Sequence, residues 1–194
     1  YEMASQFPSA GRFYEKAGTI AKDKYQNDFA IEIFQKILNF PEDSVAKIMK
    51  IDVLLKQAEV YRLVGKSAES KENLDAALIL SKDNEEQHFR VILNLGIYCT
   101  RKGEFEKALL LYQDAKKYFT SAKKNEQLVS TLLQIGIVYT AIDKYNEAED
   151  TFNEALSIAK KLNIAGIISG VYGEYGILLK KMGEYKRSIR FLEK

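Results

Sequence analysis

Few residues in this chain have the means to do chemistry, and they are scattered. Cys99 is the only cysteine and His88 the only histidine. A disulfide within the chain, a thiolate zinc cage and any metal site needing two imidazoles are thereby excluded, and no metal or cofactor site is expected. A nucleophilic cysteine needs a neighbour that lowers its pKa, and none accompanies Cys99, which reads as a buried structural thiol. His88 follows Glu85 and Glu86 at the expected start of a helix, where a surface or capping role suffices. Glu147 and Glu149 have the types of an acid–base pair, but they lie on what reads as a solvated polar helix face. The run Gly166, Gly170, Gly173, Gly176 resembles a phosphate loop only in composition. It lacks the Lys-Ser/Thr ending and keeps a helical phase, so its spacing suggests close approach of two helices instead. These residues form no catalytic set, and the chain is expected not to be an enzyme.

The balance of charge removes further classes. The 29 basic and 27 acidic residues of the 194 leave a formal charge of +2, too little for the basic stripe that replaces phosphate counterions on nucleic acid. No juxtamembrane cluster of Lys and Arg suggests anionic lipid, and no apolar run reaches the 18 residues of a membrane span. No signal-peptide pattern opens the chain, so a cytoplasmic location is expected. Starting at Tyr1 and stopping inside an apparent helix at Lys194, the sequence is expected to be a fragment of a larger protein.

The elements that carry these residues repeat. Prolines occur only at 8 and 41, and apolar residues recur at three- and four-residue spacing, the mark of amphipathic helices; no sustained alternation argues for strands. Leu95-Gly96, Cys99, Gly103, Phe105, Ala108, Tyr112 and Ala115 are matched forty residues on by Ile135-Gly136, Tyr139, Asp143, Tyr145, Ala148, Phe152 and Ala155. Tyr175-Gly176, Leu179, Gly183, Tyr185, Ser188 and Leu192 follow forty later, while Ala58 and Gly18 hold the same place in two earlier units. The column Gly18, Ala58, Gly96, Gly136, Gly176 holds only the smallest residues, as a close helix crossing requires, since a helical Gly costs about 1 kcal/mol against Ala. Seven residues on, Gly65, Gly103 and Gly183 suit a left-handed helix end, with Asp143 and Tyr25 in the same place. The second helix then offers Ala30, Ser70, Ala108, Ala148 and Ser188, each followed four residues later by Phe34, Leu74, Tyr112, Phe152 and Leu192.

This arrangement of Leu-Gly, an aromatic three later, then Ala-x-x-x-aromatic resembles the tetratricopeptide repeat. The resemblance runs from about Gly11 to Lys194, over repeats at 11–42, 51–82, 89–121, 129–161 and an incomplete 169–194. It implies an all-α fold: a right-handed superhelical solenoid of about five antiparallel helix pairs. The spacing of 38–40 exceeds the family's usual 34, so each pair carries extra helical turn or loop. The family's closing Pro is absent except near Pro41, and polar caps at Asn84, Asn125 and Asn163 are expected in its place.

The resemblance also implies where a partner would lie, on a concave face lined by the first helices. Counted from the Gly column, that face holds Arg90, Leu93, Asn94, Ile97, Thr100 and Arg101 in the third unit, and Leu133, Gln134, Ile137 and Thr140 in the fourth. The fifth contributes Gly173, Glu174, Ile177, Lys180 and Lys181. The second contributes Leu55, Lys56, Glu59 and Arg62, and the first Glu15, Lys16, Thr19 and Lys22. Leu93, Ile97, Leu133, Ile137 and Ile177 form an apolar stripe suited to an amphipathic helix or extended peptide, or else are packing between neighbouring first helices. One subclass of the family grips chaperone C-terminal carboxylates with Lys and Asn. The matching positions here, Glu15, Leu55, Leu93, Leu133, Gly173 and Thr19, Glu59, Ile97, Ile137, Ile177, hold neither, which disfavours that ligand. Lys16, Lys22, Lys56 and Arg62 remain available to an acidic peptide.

The expected function is a scaffold or adaptor for a protein or peptide partner, within a larger regulatory protein; the spacing looks like bacterial regulators that couple such arrays to an effector domain. Two alternatives stand beside it: a sensor of a small signalling peptide, and a spacer or oligomerisation module. In the last, the apolar end at Ile189 and Leu192 takes further repeats or a second copy.

Overall fold

The computed structural model describes residues 6–41, 43–163 and 165–193. Among them are ten helices and no strand. They are α1 (Gln6–Asp23), α2 (Asn27–Leu38), α3 (Lys47–Leu63), α4 (Ser67–Leu80), α5 (Glu85–Lys102), α6 (Phe105–Ser121), α7 (Asn125–Ala141), α8 (Tyr145–Leu162), α9 (Ala165–Lys181) and α10 (Tyr185–Leu192). Consecutive helices pair into five hairpins, the architecture of tetratricopeptide-like arrays. The chain forms two compact units, one up to Asn94 and the other from Leu95 onward, the division falling within the sequence of α5. In the third and fourth pairs the length beyond the usual repeat sits in the helices, which run 17 or 18 residues each.

All five hairpins close in one way. The residue seven after the small column has positive φ in every pair: Tyr25 at 58°, Gly65 at 78°, Gly103 at 77°, Asp143 at 59° and Gly183 at 78°. The N–H of the residue immediately after it then reaches back five residues, from Gln26 to Ala21, Lys66 to Tyr61, Glu104 to Cys99, Lys144 to Tyr139 and Glu184 to Leu179, at 2.8–2.9 Å. That bond satisfies a carbonyl the helix end would otherwise leave bare. The same five residues, Gln26 to Glu184, accept the opening bond of the second helix from Ala30, Ser70, Ala108, Ala148 and Ser188. Each turn is thus closed by backbone bonds, and none of the second helices has a side-chain N-cap bond.

Between the two helices of a pair the small and large columns meet. A Cβ added at Gly18 would stand 2.5 Å from the Phe34 ring, and at Gly96 and Gly136 it would run into the rings of Tyr112 and Phe152. All three rings are fully buried. In the second pair, where the small residue is Ala58, the position sixteen later is Leu74 and not an aromatic. Two pairs add a buried hydrogen bond: Ser70 Oγ donates to the Ala58 carbonyl and Ser188 Oγ to that of Gly176, each at 2.8 Å. The Leu192 side chain and Lys194, the last members of the pattern, lie outside the described residues.

Three local expectations are corrected. Of the three asparagines, only Asn84 is a side-chain N-cap, its Oδ1 accepting from the Gln87 N–H at 3.1 Å. Asn125 is the first residue of α7, whereas Asn163 does cap, as the C-terminal cap of α8 in the left-handed region. Gly166, Gly170 and Gly173 mark no close helix approach, because a Cβ at any of them would meet nothing within 4 Å. Only Gly176 of that run is buried, in the packed column. Glu149 is not a solvated carboxylate either. It ties α8 to the last pair, accepting from Tyr175 Oη at 2.7 Å and Arg187 Nη2 at 2.8 Å. Those two bonds, the tyrosine's first, hold its pKa below the ordinary carboxylate range.

Candidate partner-binding face

The first-helix face of the unit up to Asn94 is occupied by its own charges. Lys56 Nζ lies 2.7 Å from Glu15 Oε1 and 3.1 Å from Thr19 Oγ1. Lys22 pairs with Glu59 at 3.0 Å, and Arg90 with Asp52 at 2.7 Å. Each pair joins one first helix to the next, α1 to α3 and α3 to α5. Burial acts first on the Lys22 ammonium and lowers its pKa, but the Glu59 bond and the Glu59 and Asp23 charges outweigh it, and the net direction is upward. Of the cations expected to be free for an acidic peptide, Lys22 and Lys56 are therefore already matched, and Arg62 is partly buried. Leu55 and Leu93 are buried at 7% and 8% exposure, so they belong to packing. Asn94 donates its side-chain amide to the Arg90 carbonyl of its own helix at 2.9 Å.

The unit from Leu95 onward presents a different face. Ile97, Leu133 and Ile137 are partly buried, and Ile177 is 50% exposed. Gln134 is partly buried, while Arg101 and Lys180 are exposed. The two threonines are structural: Thr140 is buried and donates to the Gly136 carbonyl at 2.8 Å, and Thr100 donates to that of Gly96 at 2.9 Å. Thr100 also lies 3.0 Å from Tyr112 Oη. Burial of that tyrosine pushes its hydroxyl well above the ordinary range. Lys181 turns back to α7, donating to the Thr140 carbonyl at 3.1 Å with Asp143 at 3.8 Å.

Glu174 stands apart from the other acids of these faces. It is partly buried, and among the described residues it has neither a hydrogen bond nor an ion pair. Burial raises its pKa, and the Arg101 guanidinium opposes that only in part. Position alone put Glu174 on the face; its unmatched state depends on which side chains come near it, and no sequence pattern encodes that.

The chemically capable residues fall elsewhere. Cys99 is buried at 3% exposure in the first-helix packing. His88 lies in the first turn of α5, its ring edge-on to Phe89 at 5.6 Å, with Nδ1 shielded from solvent and without a hydrogen bond. Among the described residues no three His, Cys, Asp or Glu gather as metal ligands, and no helix is long and apolar enough to cross a membrane.

Comparison with known proteins agrees with this geometry. Residues 89–161 match the family model of the tetratricopeptide repeat. The kinesin light chain-related protein 3 of Arabidopsis thaliana is 26% identical over 137 residues, covering 68% of this chain and 20% of that protein. A Rap protein solved in complex with Competence and Sporulation Factor superposes with a TM-score of 0.81 at 20% identity, over 94% of this chain and 52% of that one. Aspartyl phosphate phosphatase F of Bacillus subtilis gives 0.77 at 19% identity, over 97% and 50%. The chain thus spans about a fifth of the curated relative and about half of the two solved chains. At these identities the structural likeness establishes the fold.

Proposed function

We propose that this chain, a tetratricopeptide-repeat protein, is an interaction module that takes a peptide or helix of a partner protein on the first-helix face of its second unit, without catalysis of its own, as part of a larger regulatory protein. One observation carries the reading. Ile97, Leu133, Ile137 and Ile177 keep apolar surface open on first helices that also carry Gln134, Arg101 and an unmatched Glu174, whereas the first unit spends its face on internal ion pairs. Apolar surface rimmed by unsatisfied polar groups is what a peptide-binding groove offers. The test is affinity capture from lysate of the source organism, run with wild type beside the Ile97→Arg, Ile137→Arg double variant. A partner held by wild type and lost by the variant, with helicity unchanged by circular dichroism, is the expected result. The same proteins captured by both would refute the groove.

A second reading, a sensor of a small signalling peptide, has in its favour the fold likeness to the Rap protein solved with Competence and Sporulation Factor. It requires a ligand-induced change in radius of gyration at constant helicity, measured by small-angle scattering, and no change would remove it.

A further inference from the structure

From the unmatched carboxylate on α9 we infer that the groove selects a peptide segment carrying an arginine or lysine next to an aliphatic residue, the cation seated on Glu174 and the aliphatic side chain on Ile137 and Ile177. The inference rests on the groove reading and names the ligand's chemistry.

On the first unit's face Glu15, Asp52 and Glu59 each meet a cation within 3.0 Å. Glu174 occupies an equivalent first-helix surface and meets none among the described residues, although it is partly withdrawn from water. A carboxylate that has lost hydration without gaining a partner is costly, and a ligand cation recovers that cost on binding. Arg101 lies near enough to act on Glu174 through its charge but makes no ion pair with it. Its charge repels a second cation on its own side and favours an acidic or terminal carboxylate of the ligand there. Ile177, half exposed and three residues from Glu174 on the same helix, gives the adjoining apolar contact. Arginine is preferred over lysine because its planar fork can bond both carboxylate oxygens.

The experiment selects a phage-displayed library of random 12-residue peptides on the intact chain, on Glu174→Gln and on Ile137→Arg. The enriched peptides are then resynthesised and titrated by fluorescence anisotropy. Wild type is expected to enrich Arg or Lys beside Leu, Ile or Val, and Glu174→Gln, nearly isosteric, to bind those peptides about tenfold or more weakly and to lose the basic preference. Enrichment without a basic preference, or equal affinity for Glu174→Gln, overturns this inference while leaving the groove in place, provided Ile137→Arg abolishes binding. Peptides that bind Ile137→Arg as well as wild type, or no enrichment at all, overturn the groove reading and this inference with it.

Discussion

The Phe152 ring occupies the space where any side chain at Gly136 would have to begin. It is fully buried and stacked on Tyr175, with centroids 5.6 Å apart and planes at 26°, so it has no room to swing aside. The two positions act as one unit of packing, and the second pair supplies the alternative solution, Ala58 with Leu74.

Two glycine-to-alanine changes inside helices should therefore have opposite signs. Gly136→Ala gains about 1 kcal/mol of helix propensity but overpacks the ring at about 1–3 kcal/mol, for a net loss. Adding Phe152→Leu should show a favourable coupling of about 1 kcal/mol in a double-mutant cycle. Gly170→Ala, where a Cβ meets nothing within 4 Å, should stabilise by about 0.5–1 kcal/mol. Urea melts of the four variants check this; a stabilising Gly136→Ala would contradict the packing described.

Tyr25 holds the left-handed turn position that glycine holds in three other hairpins, and its side chain is 81% exposed. A non-glycine residue there costs about 1–2 kcal/mol, and little packing is lost with the ring. Tyr25→Gly should raise stability by about 0.5–1 kcal/mol after allowing for the freer unfolded chain, seen as a higher thermal midpoint. A lower midpoint would mean that the tyrosine makes a contact of value.

Glu174 should reveal itself through pH. Its folded pKa is raised by burial, so the folded state favours the protonated form. That contribution is fully present below the ordinary glutamate range near 4.3 and is lost as pH rises through the folded value. At pH 7 the wild type then carries an unfavourable charge that Glu174→Gln removes. The variant should be the more stable at neutral pH, with the difference shrinking in acid. Thermal melts at pH 7 and pH 4 decide it, and a variant less stable at pH 7 would place an unseen cation on Glu174.

Much of the fold could be read from spacing because each column does a single mechanical job. Small at Gly96, left-handed at Gly103 and aromatic at Tyr112 recur at fixed offsets, and the backbone clamp tolerates even Tyr25 because its bond is made by main-chain atoms. The face was harder. Glu15 and Lys56 lie 41 apart in sequence, and nothing local says that they meet, so Lys22 and Lys56 read as free. Leu93 and Ile97 look alike in the pattern, yet one is buried and the other only partly. The spacing of Gly166, Gly170 and Gly173 is the same whether a helix lies against them or not, and here none does.

The matched charges on the first unit bear on how fast a partner arrives. Opposite charges about 3 Å apart form small dipoles whose field fades far more steeply than that of a lone charge, and salt at physiological strength screens what remains within about 8 Å. Such a surface lends almost no long-range guidance to a diffusing molecule, however many charged residues it carries. Electrostatic steering falls to side chains left unpaired, such as Arg101 and Glu174, so association kinetics should respond to changes there and remain nearly indifferent to the ladder of pairs on the other unit.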